Sequence, residues 1–248
     1  VLRLGFRQIK GIKRANIEAL IGARTMPYQS VNELCYRSGL SKAVLERLAH
    51  ADVFSSLGLT RREAVWAVGG LDEAPLPLFA YVRNSEEHDL PREHVINLPA
   101  MSLGEQVAND YRTLSLSLKS HPLALFRSDL RLRGCVLLGE LPYIEHGQRV
   151  RLAGLVTARQ SPSTAKGVMF ITLEDETAYT NLVVWPNIFE RFRRQILSAT
   201  LLEVAGEVQK EGLVIHVIAY RLWDLTPWLK RLENVKEGPF AVHVRNFC

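Results

Sequence analysis

Cysteine and long apolar runs are scarce in this sequence, and each scarcity excludes a class of protein. The three cysteines, Cys35, Cys135 and Cys248, are separated by about 100 residues or more and form no C-x-x-C pair, which argues against a disulfide framework or a zinc site. No run of about 18 apolar residues is present, so the sequence predicts no membrane-spanning helix and no membrane partner.

Motifs that make or break bonds are also missing. The sequence has no glycine-rich phosphate loop and no combination of nucleophile, base and orienting group. Glu174, Asp175 and Glu176 are consecutive, and neighbouring side chains in a turn between strands point in different directions, so they are poorly placed to converge on a metal ion. We therefore predict no catalytic residue, no metal ion and no cofactor in this chain.

Positive charge is concentrated in one region. Residues 1–70 contain eleven Lys and Arg against five Asp and Glu, a net charge of +6, whereas the whole chain carries +5, so the other 178 residues sum to −1. A basic region of this kind favours a polyanionic partner. The chain begins with Val and shows no secretion signal, which predicts an internal segment of a longer cytoplasmic protein.

A glycine interrupts the basic stretch near the start of the chain. Gly11 follows Lys10, and Lys13 and Arg14 come shortly after; a glycine inside a helix costs about 1 kcal/mol. A turn at Gly11 between two short helices would instead expose backbone amides to a DNA phosphate, beside positive side chains and the positive end of a helix dipole. The sequence predicts that Lys10, Gly11, Lys13 and Arg14 bind duplex phosphate, and the alternative is an ordinary glycine turn in a small helical domain.

The same arrangement occurs a second time. Gly39 follows a short helical pattern, and Ser41 and Lys42 open an apolar-striped helix. Gly39, Ser41 and Lys42 are therefore predicted to form a second phosphate-binding turn. Residues 1–70 together are predicted to be a tandem helix-hairpin-helix domain.

Local patterns also predict where helices begin and which faces they bury. Capping boxes, in which a hydroxyl and a carboxylate satisfy the free amides of a helix start, predict helices after Ser30 and Thr60. The apolar stripes of the first and third helices are Ile17, Leu20 and Ile21, and Val44, Leu45 and Leu48.

The remainder of the chain changes from helical to β patterns. Residues 71–148 are predicted to be a linker with one amphipathic helix at 102–119. Residues 149–228 contain three strand patterns, a short helix and two further strands, with glycines at 154 and 206 where strongly curved strands need them. This order predicts a five-stranded OB-fold barrel, followed by a C-terminal tail at 229–248.

Single-stranded nucleic acids usually cross the second and third strands of an OB barrel, where bases stack on aromatic rings and basic groups follow the backbone. Alternation along the second strand places Phe170 and Thr172 on the face away from the barrel core, and Arg159 and Lys166 flank the adjacent turn. These four residues are the predicted single-strand site. The alternative for Phe170 is a place in the barrel core, because this strand is apolar on both faces.

Four stretches in this order resemble the C-terminal part of bacterial C-family DNA polymerases. They read "LGFRQIKGIKRANIEALIGAR", "SVNELCYRSGLSKAVLERLAHADVFSSLGLTRREAVWAV", "YRTLSLSLKSHPL" and "VRLAGLVTARQSPSTAKGVMFITLEDET". Within this family, the four stretches most resemble the error-prone, alpha-subunit-like members that act in damage-induced mutagenesis. The resemblance extends over nearly the whole chain.

The resemblance implies that DNA binding and catalysis belong to different domains of a larger enzyme. The hairpins would contact primed duplex DNA behind the active site, and the OB domain would lie near the single-stranded template. The family's catalytic aspartates, and the Mg²⁺ of the parent polymerase, would belong to a palm domain upstream of this sequence.

The resemblance also implies protein partners. Residues 71–103 show no convincing clamp-binding peptide, which agrees with error-prone members that reach the sliding clamp indirectly, through a clamp-binding, Y-family-like adaptor. The sequence ends soon after the OB domain, without the tail domain by which replicative subunits hold the clamp loader.

The predicted function is a non-catalytic DNA-binding and partner-binding segment of an error-prone DNA polymerase, a nucleotidyltransferase, acting in translesion synthesis in the bacterial cytoplasm. Two alternatives remain open. The OB surface could dock the adaptor protein without touching nucleic acid, or the barrel could bind RNA like the anticodon-binding domain of some tRNA synthetases.

Overall fold

The structure is a computed structural model that describes residues 4–71, 98–163, 167–212, 214–232 and 245–247. The chain divides into two compact units, with the division between Met101 and Ser102. The first is called the hairpin unit and the second the barrel unit.

Short helices joined by turns make up the hairpin unit. A turn of 3-10 helix, Phe6–Gln8, is followed by α1 (Arg14–Gly22), α2 (Val31–Ser38), α3 (Lys42–His50), a second 3-10 helix (Val53–Leu57) and α4 (Arg61–Gly69). The first hairpin consists of the 3-10 turn and α1, and the second consists of α2 and α3. Both predicted hairpins are present.

Hydroxyl caps begin α2 and α4 as the sequence predicts. The Ser30 hydroxyl accepts a hydrogen bond from the Glu33 amide at 3.1 Å. Thr60 and Glu63 satisfy each other's amides, with the Thr60 N–H donating to the Glu63 carboxylate at 2.7 Å. The predicted capping box is thus complete at Thr60, whereas at Ser30 the Glu33 carboxylate accepts from the Gln29 amide at 2.7 Å. Because each cap satisfies otherwise free amides, it fixes the residue at which its helix starts.

The core of the hairpin unit lies between these helices and contains the predicted α3 stripe. Val44, Leu45 and Leu48 are all buried, as is Leu20 of α1. The prediction for Ile21 is wrong, since this side chain is 61% exposed. Consecutive helical residues are about 100° apart, so the narrow buried face of α1 includes Leu20 and excludes its neighbour.

The barrel unit begins with helices that form part of it. They are α5 (Leu103–Leu114), a 3-10 helix (Pro122–Phe126), α6 (Arg127–Leu132) and another 3-10 helix (Leu138–Tyr143). Their apolar side chains, among them Val107, Leu123 and Leu130, share a core with Leu155 and Leu201 of the barrel wall. From Ser102 onward the structure therefore differs from the predicted linker.

Helix α5 is also shorter than the predicted helix at 102–119. Ser115 adopts a left-handed conformation with φ of 64°, and its N–H donates to the Tyr111 carbonyl. This conformation ends the helix at Leu114, because an L-residue with positive φ cannot continue a right-handed helix. Leu118, which the predicted helix at 102–119 would include, lies beyond the end of α5 and is 56% exposed.

Five strands then close into a barrel. They are β1 (Arg149–Gln160), β2 (Met169–Glu174), β3 (Tyr179–Val184), β4 (Leu201–Glu211) and β5 (Val214–Asp224), with the short helices α7 (Pro186–Arg191) and α8 (Arg193–Ser198) between β3 and β4. The strand order is β2-β3-β5-β4-β1, and β1 also pairs with β2. All of these pairings are antiparallel except that of β3 with β5.

This order is that of an OB barrel, and the predicted fold class of tandem helix-hairpin-helix followed by an OB-fold barrel is confirmed. After β5 come α9 (Thr226–Leu229), a 3-10 helix (Lys230–Leu232) and a short strand, β6 (Arg245–Phe247), which runs parallel to the end of β1. The rest of the predicted tail lies outside the described residues.

Close backbone approach explains the two glycines of the barrel wall. A Cβ atom on Gly154 would lie 2.7 Å from the Leu173 Cβ, and one on Gly206 would lie 2.7 Å from Val217 Cγ1 and overlap the Ile218 carbonyl oxygen. A side chain at either position would force neighbouring strands apart. The sequence analysis assigned these glycines to strongly curved strands, and the structure shows that close approach of the neighbouring strand is what excludes a side chain at each.

The acidic turn between β2 and β3 serves the architecture. The Asp175 carboxylate is buried and accepts hydrogen bonds from Thr177, Ala178 and the Leu138 amide. Arg127 of α6 contacts both Asp175 (3.2 Å) and Glu176 (2.6 Å). These contacts tie the turn to the helices that precede the barrel, as expected of a structural rather than a catalytic cluster.

Candidate nucleic-acid interfaces

The first hairpin turn has the backbone that its sequence predicts. Gly11 has a positive φ of 75°, a conformation that other L-residues rarely adopt. Its carbonyl oxygen accepts a hydrogen bond from Arg47 Nη1 of α3 at 2.5 Å. Arg47 thereby holds the turn in place and adds a guanidinium group beside it.

The predicted basic residues of this turn lie at the surface. Lys10, Lys13 and Arg14 are all exposed, although partial burial lowers the pKa of Lys10. The Lys13 amide donates to the Asn16 side chain at 3.2 Å, at the start of α1. Arg14 pairs with Glu18 at 2.7 Å, and an exposed pair of this kind is weak enough for a phosphate to compete with it.

The second turn repeats the glycine conformation. Gly39 has φ of 64° and ends α2, with its N–H donating to the Cys35 carbonyl. Ser41 precedes α3 and makes no side-chain capping bond. Because the hydroxyl does not cap the helix, the first amides of α3 keep the capacity to bind an anion.

Lys42 has a different environment from the one expected. Its ammonium group donates to the carbonyl oxygens of Gly69 (2.7 Å) and Leu71 (3.0 Å) at the end of α4. These bonds satisfy carbonyls that a helix end leaves free. The side chain of Lys42 thus joins α3 to α4, and only its backbone remains suited to the predicted phosphate contact.

On the barrel, β2 alternates as the sequence predicts. Met169, Ile171 and Leu173 belong to the barrel core, whereas Phe170 and Thr172 are half-buried on the opposite face. The structure therefore places Phe170 outside the barrel core, on the wall formed by β2, β3 and β5. Whether it binds a base stays a prediction.

Strand register brings further polar and aromatic groups to this wall. Phe170 lies opposite Val183, and Thr172 lies opposite Asn181, with a hydrogen bond of 2.9 Å between the two polar side chains. Asn181 is in turn paired with His216 of β5. Tyr179, at the start of β3, is 75% exposed. Sequence reasoning missed Tyr179, Asn181 and His216, because their relation to Phe170 depends on pairing across strands.

Arg159 requires a correction. Its side chain is 6% exposed, and its guanidinium donates to the carbonyl oxygens of Ile196 (2.6 Å) and Ala199. These contacts fasten the end of α8 to β1, so the donors expected to face a nucleic acid are used inside the protein. Lys166, its predicted companion, lies outside the described residues.

Within residues 4–71, 98–163, 167–212 and 214–232, no three His, Cys, Asp or Glu side chains are placed to hold a metal ion. Burial raises the pKa of the Cys135 thiol to about 11, which disfavours the nucleophilic thiolate. Among the described helices, none is long and apolar enough to cross a membrane.

Comparisons with known proteins match both units. Residues 1–64 match a family model described as a helix-hairpin-helix motif, and residues 150–225 match one described as an OB-fold nucleic acid binding domain. The two ranges contain the glycine turns and the closed barrel, respectively.

Curated relatives match over nearly the whole chain. Error-prone DNA polymerase 1 of Rhizobium meliloti is 47% identical over 237 residues, which cover 94% of this chain and 21% of that protein. The error-prone DNA polymerase of Caulobacter vibrioides is 45% identical over 244 residues, or 96% of this chain and 22% of that protein. The chain thus spans about a fifth of the length of these relatives.

Solved structures give a partial likeness. Asparaginyl-tRNA synthetase from Pyrococcus horikoshii, complexed with asparaginyl-adenylate, matches 37% of this chain and 22% of that chain with a TM-score of 0.32 and 23% identity. A small single-stranded DNA binding protein from Mycoplasma pneumoniae matches 31% of this chain and 92% of that chain with a TM-score of 0.28 and 10% identity.

The resemblance to error-prone polymerases that the sequence predicts is confirmed by these relatives. The chain combines a tandem helix-hairpin-helix region with an OB-fold domain, and over nearly its full length it is homologous to a segment of bacterial error-prone DNA polymerases.

Proposed function

We propose that this chain is the non-catalytic DNA-binding part of an error-prone DNA polymerase that acts in translesion synthesis and damage-induced mutagenesis. The observation that carries the proposal is the pair of turns at Gly11 and Gly39. Each has a positive-φ glycine followed within three residues by the start of a helix.

The hairpins hold duplex DNA by its phosphates. Backbone amides at the starts of α1 and α3 face the anion, and a glycine keeps a side chain from blocking its approach. Lys10, Lys13, Arg14 and the newly identified Arg47 supply positive charge around the first turn. Such contacts position DNA without reading its sequence.

The barrel contacts the single-stranded template on the wall of β2, β3 and β5. Phe170 supplies a ring on which a base can stack, while Thr172, Asn181 and His216 offer polar groups on the same wall. Stacking accepts any base, which suits an enzyme that copies damaged templates.

Nucleotide addition, and the Mg²⁺ that it uses, belongs to another part of the polymerase. The polymerase acts in the bacterial cytoplasm. The proposed protein partner is a clamp-binding, Y-family-like adaptor through which the sliding clamp is reached indirectly. In an alternative, the barrel wall docks this adaptor and binds no DNA. This alternative is favoured by two apolar residues of the wall, Val183 and Ile218, which are only half-buried.

The hairpin proposal is tested by salt dependence. Replacing Lys10, Lys13 and Arg14 by Ala should weaken binding to primed duplex DNA regardless of sequence, and the slope of log affinity against log salt should fall by about 0.9 for each lost phosphate contact. The matched control replaces Arg24, Arg62 and Lys119 by Ala, which removes the same charge elsewhere. An unchanged slope in a folded hairpin variant, or an equal fall in the control, contradicts the proposal.

The barrel proposal is tested with Phe170→Ala. Loss of a stacking ring should cost about 1–3 kcal/mol in affinity for a single strand, with little change in melting temperature because the ring lies outside the barrel core. Binding of the adaptor is measured on the same protein. Unchanged single-strand affinity together with weakened adaptor binding would favour the docking alternative.

A further inference from the structure

Arginines stack on two tryptophans along the outer face of β1 and β5 and on the segments that follow α6 and β5. The guanidinium carbons of Arg151 and Arg221 lie 4.5 and 5.0 Å from the ring centre of Trp223. Those of Arg133 and Arg231 lie 5.9 and 5.3 Å from the ring centre of Trp228. These six residues, Arg133, Arg151, Arg221, Arg231, Trp223 and Trp228, are called the arginine–tryptophan ladder.

Strand register shows that the ladder and Phe170 occupy different walls. Arg151 of β1 pairs with Ala205 of β4, which pairs with Arg221 of β5. The two guanidinium groups therefore arise two strands apart, or about 10 Å. Phe170 faces outward from β2, so the residues proposed to stack on or contact a base, Phe170, Thr172, Asn181 and His216, are separate from the ladder.

A buried carboxylate joins the two halves of the ladder. Glu203 is fully buried, and Arg133 and Arg151 contact its two oxygens at 2.7 and 2.8 Å. Arg151 also donates to the Arg133 carbonyl oxygen at 3.0 Å. Two arginines on one carboxylate leave a net positive charge, and the shared carboxylate holds both guanidinium groups in fixed positions.

The arginines remain open to solvent despite these contacts. The side chains of Arg133, Arg151 and Arg231 are 38%, 35% and 57% exposed, and Arg221 is also exposed. Stacking uses the flat face of a guanidinium group and leaves its N–H edges able to donate. Arg–aromatic stacking also pre-orders the fork that matches the oxygens of a phosphate.

Acidic groups near the ladder are few and already engaged. Asp129 pairs with Arg231 at 3.2 Å, Glu207 accepts from the Tyr220 hydroxyl, and Asp224 accepts from the Thr226 amide. Four arginines against the two carboxylates that pair with them, Glu203 and Asp129, leave two positive charges among the ladder and its partners. Glu207 and Asp224 accept hydrogen bonds from neutral groups and keep their negative charges beside the ladder.

We propose that the arginine–tryptophan ladder is a second nucleic-acid contact of the barrel unit, which binds the phosphate backbone of a single strand and takes no part in base stacking. The tryptophan faces are covered by guanidinium groups, so the ladder offers N–H donors to phosphates rather than rings to bases. A strand bound there would be held by charge and geometry without regard to its sequence.

The test uses the full 248-residue chain and fluorescent oligothymidine across a series of salt concentrations. The double variant Arg221→Gln/Arg231→Gln spares the buried Glu203 contacts. It should bind about three- to tenfold more weakly, with a salt slope lower by about 0.7 for each lost contact. The matched control is Arg191→Gln/Arg194→Gln, which removes the same charge from exposed positions on α7 and α8 and should leave the slope unchanged. Circular dichroism melting establishes that both variants fold.

Two further measurements separate the proposal from its competitors. In a protein that already carries Phe170→Ala, the Arg221→Gln/Arg231→Gln variant should still lower the salt slope. It should do so even if Phe170→Ala alone has no effect on binding. Failure of the stacking site and failure of the ladder are therefore distinguishable. Equal slopes for the ladder and control variants would overturn the proposal. Unchanged oligothymidine binding with weakened binding of polyglutamate would overturn it in favour of an acidic protein segment.

Discussion

The hairpin unit and the barrel unit place their charged groups differently. Around Gly11 the hairpin unit keeps its basic side chains at the surface, next to a turn whose shape depends on backbone conformation. The barrel unit instead buries the carboxylates of Asp175 and Glu203 and arranges arginines over them. The hairpin surface is thus shaped mainly by the main chain, and the barrel surface by buried ion pairs, which predicts different sensitivities to substitution.

The largest expected effect follows from removing a buried carboxylate. Asp175→Ala should lower the free energy of unfolding of the barrel unit by about 3–5 kcal/mol, because it leaves three amide groups without their buried acceptor and leaves Arg127 with Glu176 alone. The control, Asp129→Ala, removes an exposed pair with Arg231 and should cost no more than about 1 kcal/mol. Calorimetric unfolding of both proteins measures the difference, and equal losses would contradict the claim that buried carboxylates, rather than exposed ion pairs, stabilise the barrel unit.

A smaller effect distinguishes the glycines of the two units. Gly206→Ala should cost about 1–3 kcal/mol through crowding against Val217 and Ile218. Gly39→Ala should cost about 1–2 kcal/mol through its positive φ alone, since a Cβ there meets no atom within 4 Å.

Asparagine sharpens this test because it tolerates the left-handed conformation better than alanine but is larger. Gly39→Asn should be milder than Gly39→Ala, whereas Gly206→Asn should be more harmful than Gly206→Ala. Denaturant unfolding of the four variants gives the ranking. The same order at both positions would show that one physical cause governs both glycines.

The smallest expected effect is a pH dependence confined to the barrel unit. Burial lowers the pKa of His121 despite the opposing charges of Glu176 and Asp175, and its Nδ1 accepts a hydrogen bond from the Leu123 amide only when unprotonated. Below about pH 6.5 the unfolded chain binds a proton that the folded chain does not, so stability should fall as the pH decreases, by at most about 1.4 kcal/mol per pH unit. Unfolding at pH 7 and pH 5 should show a reduced difference in His121→Gln, and an unchanged difference would rule out His121 as the cause.

Sequence predicted most of the local structure of both units. The start of β1 at residue 149 and the alternation of Phe170 with its neighbours follow from short-range patterns, as do the caps at Ser30 and Thr60 and the turns at Gly11 and Gly39. Such features depend on residues a few positions apart, where backbone geometry and periodicity act directly.

The errors at the candidate sites arise where a side chain contacts a distant part of the chain. Arg159 looked like a surface cation, but it binds the carbonyl of Ile196, 37 residues away. The ammonium of Lys42 binds at the end of α4, 27 residues away. The ladder could not be predicted from the sequence for the same reason, because Arg133 and Glu203 are 70 residues apart.

The parallel pairing of β6 with β1 has a consequence for aggregation. Residues 158–160 of β1 have β2 on one side and β6 on the other. Without β6 this stretch would present unpaired backbone groups at an open sheet edge, which is a template for another chain to add a strand. The three residues of β6 therefore pair with the side of this β1 stretch that would otherwise be open, and they keep a second copy of the chain from adding a strand there.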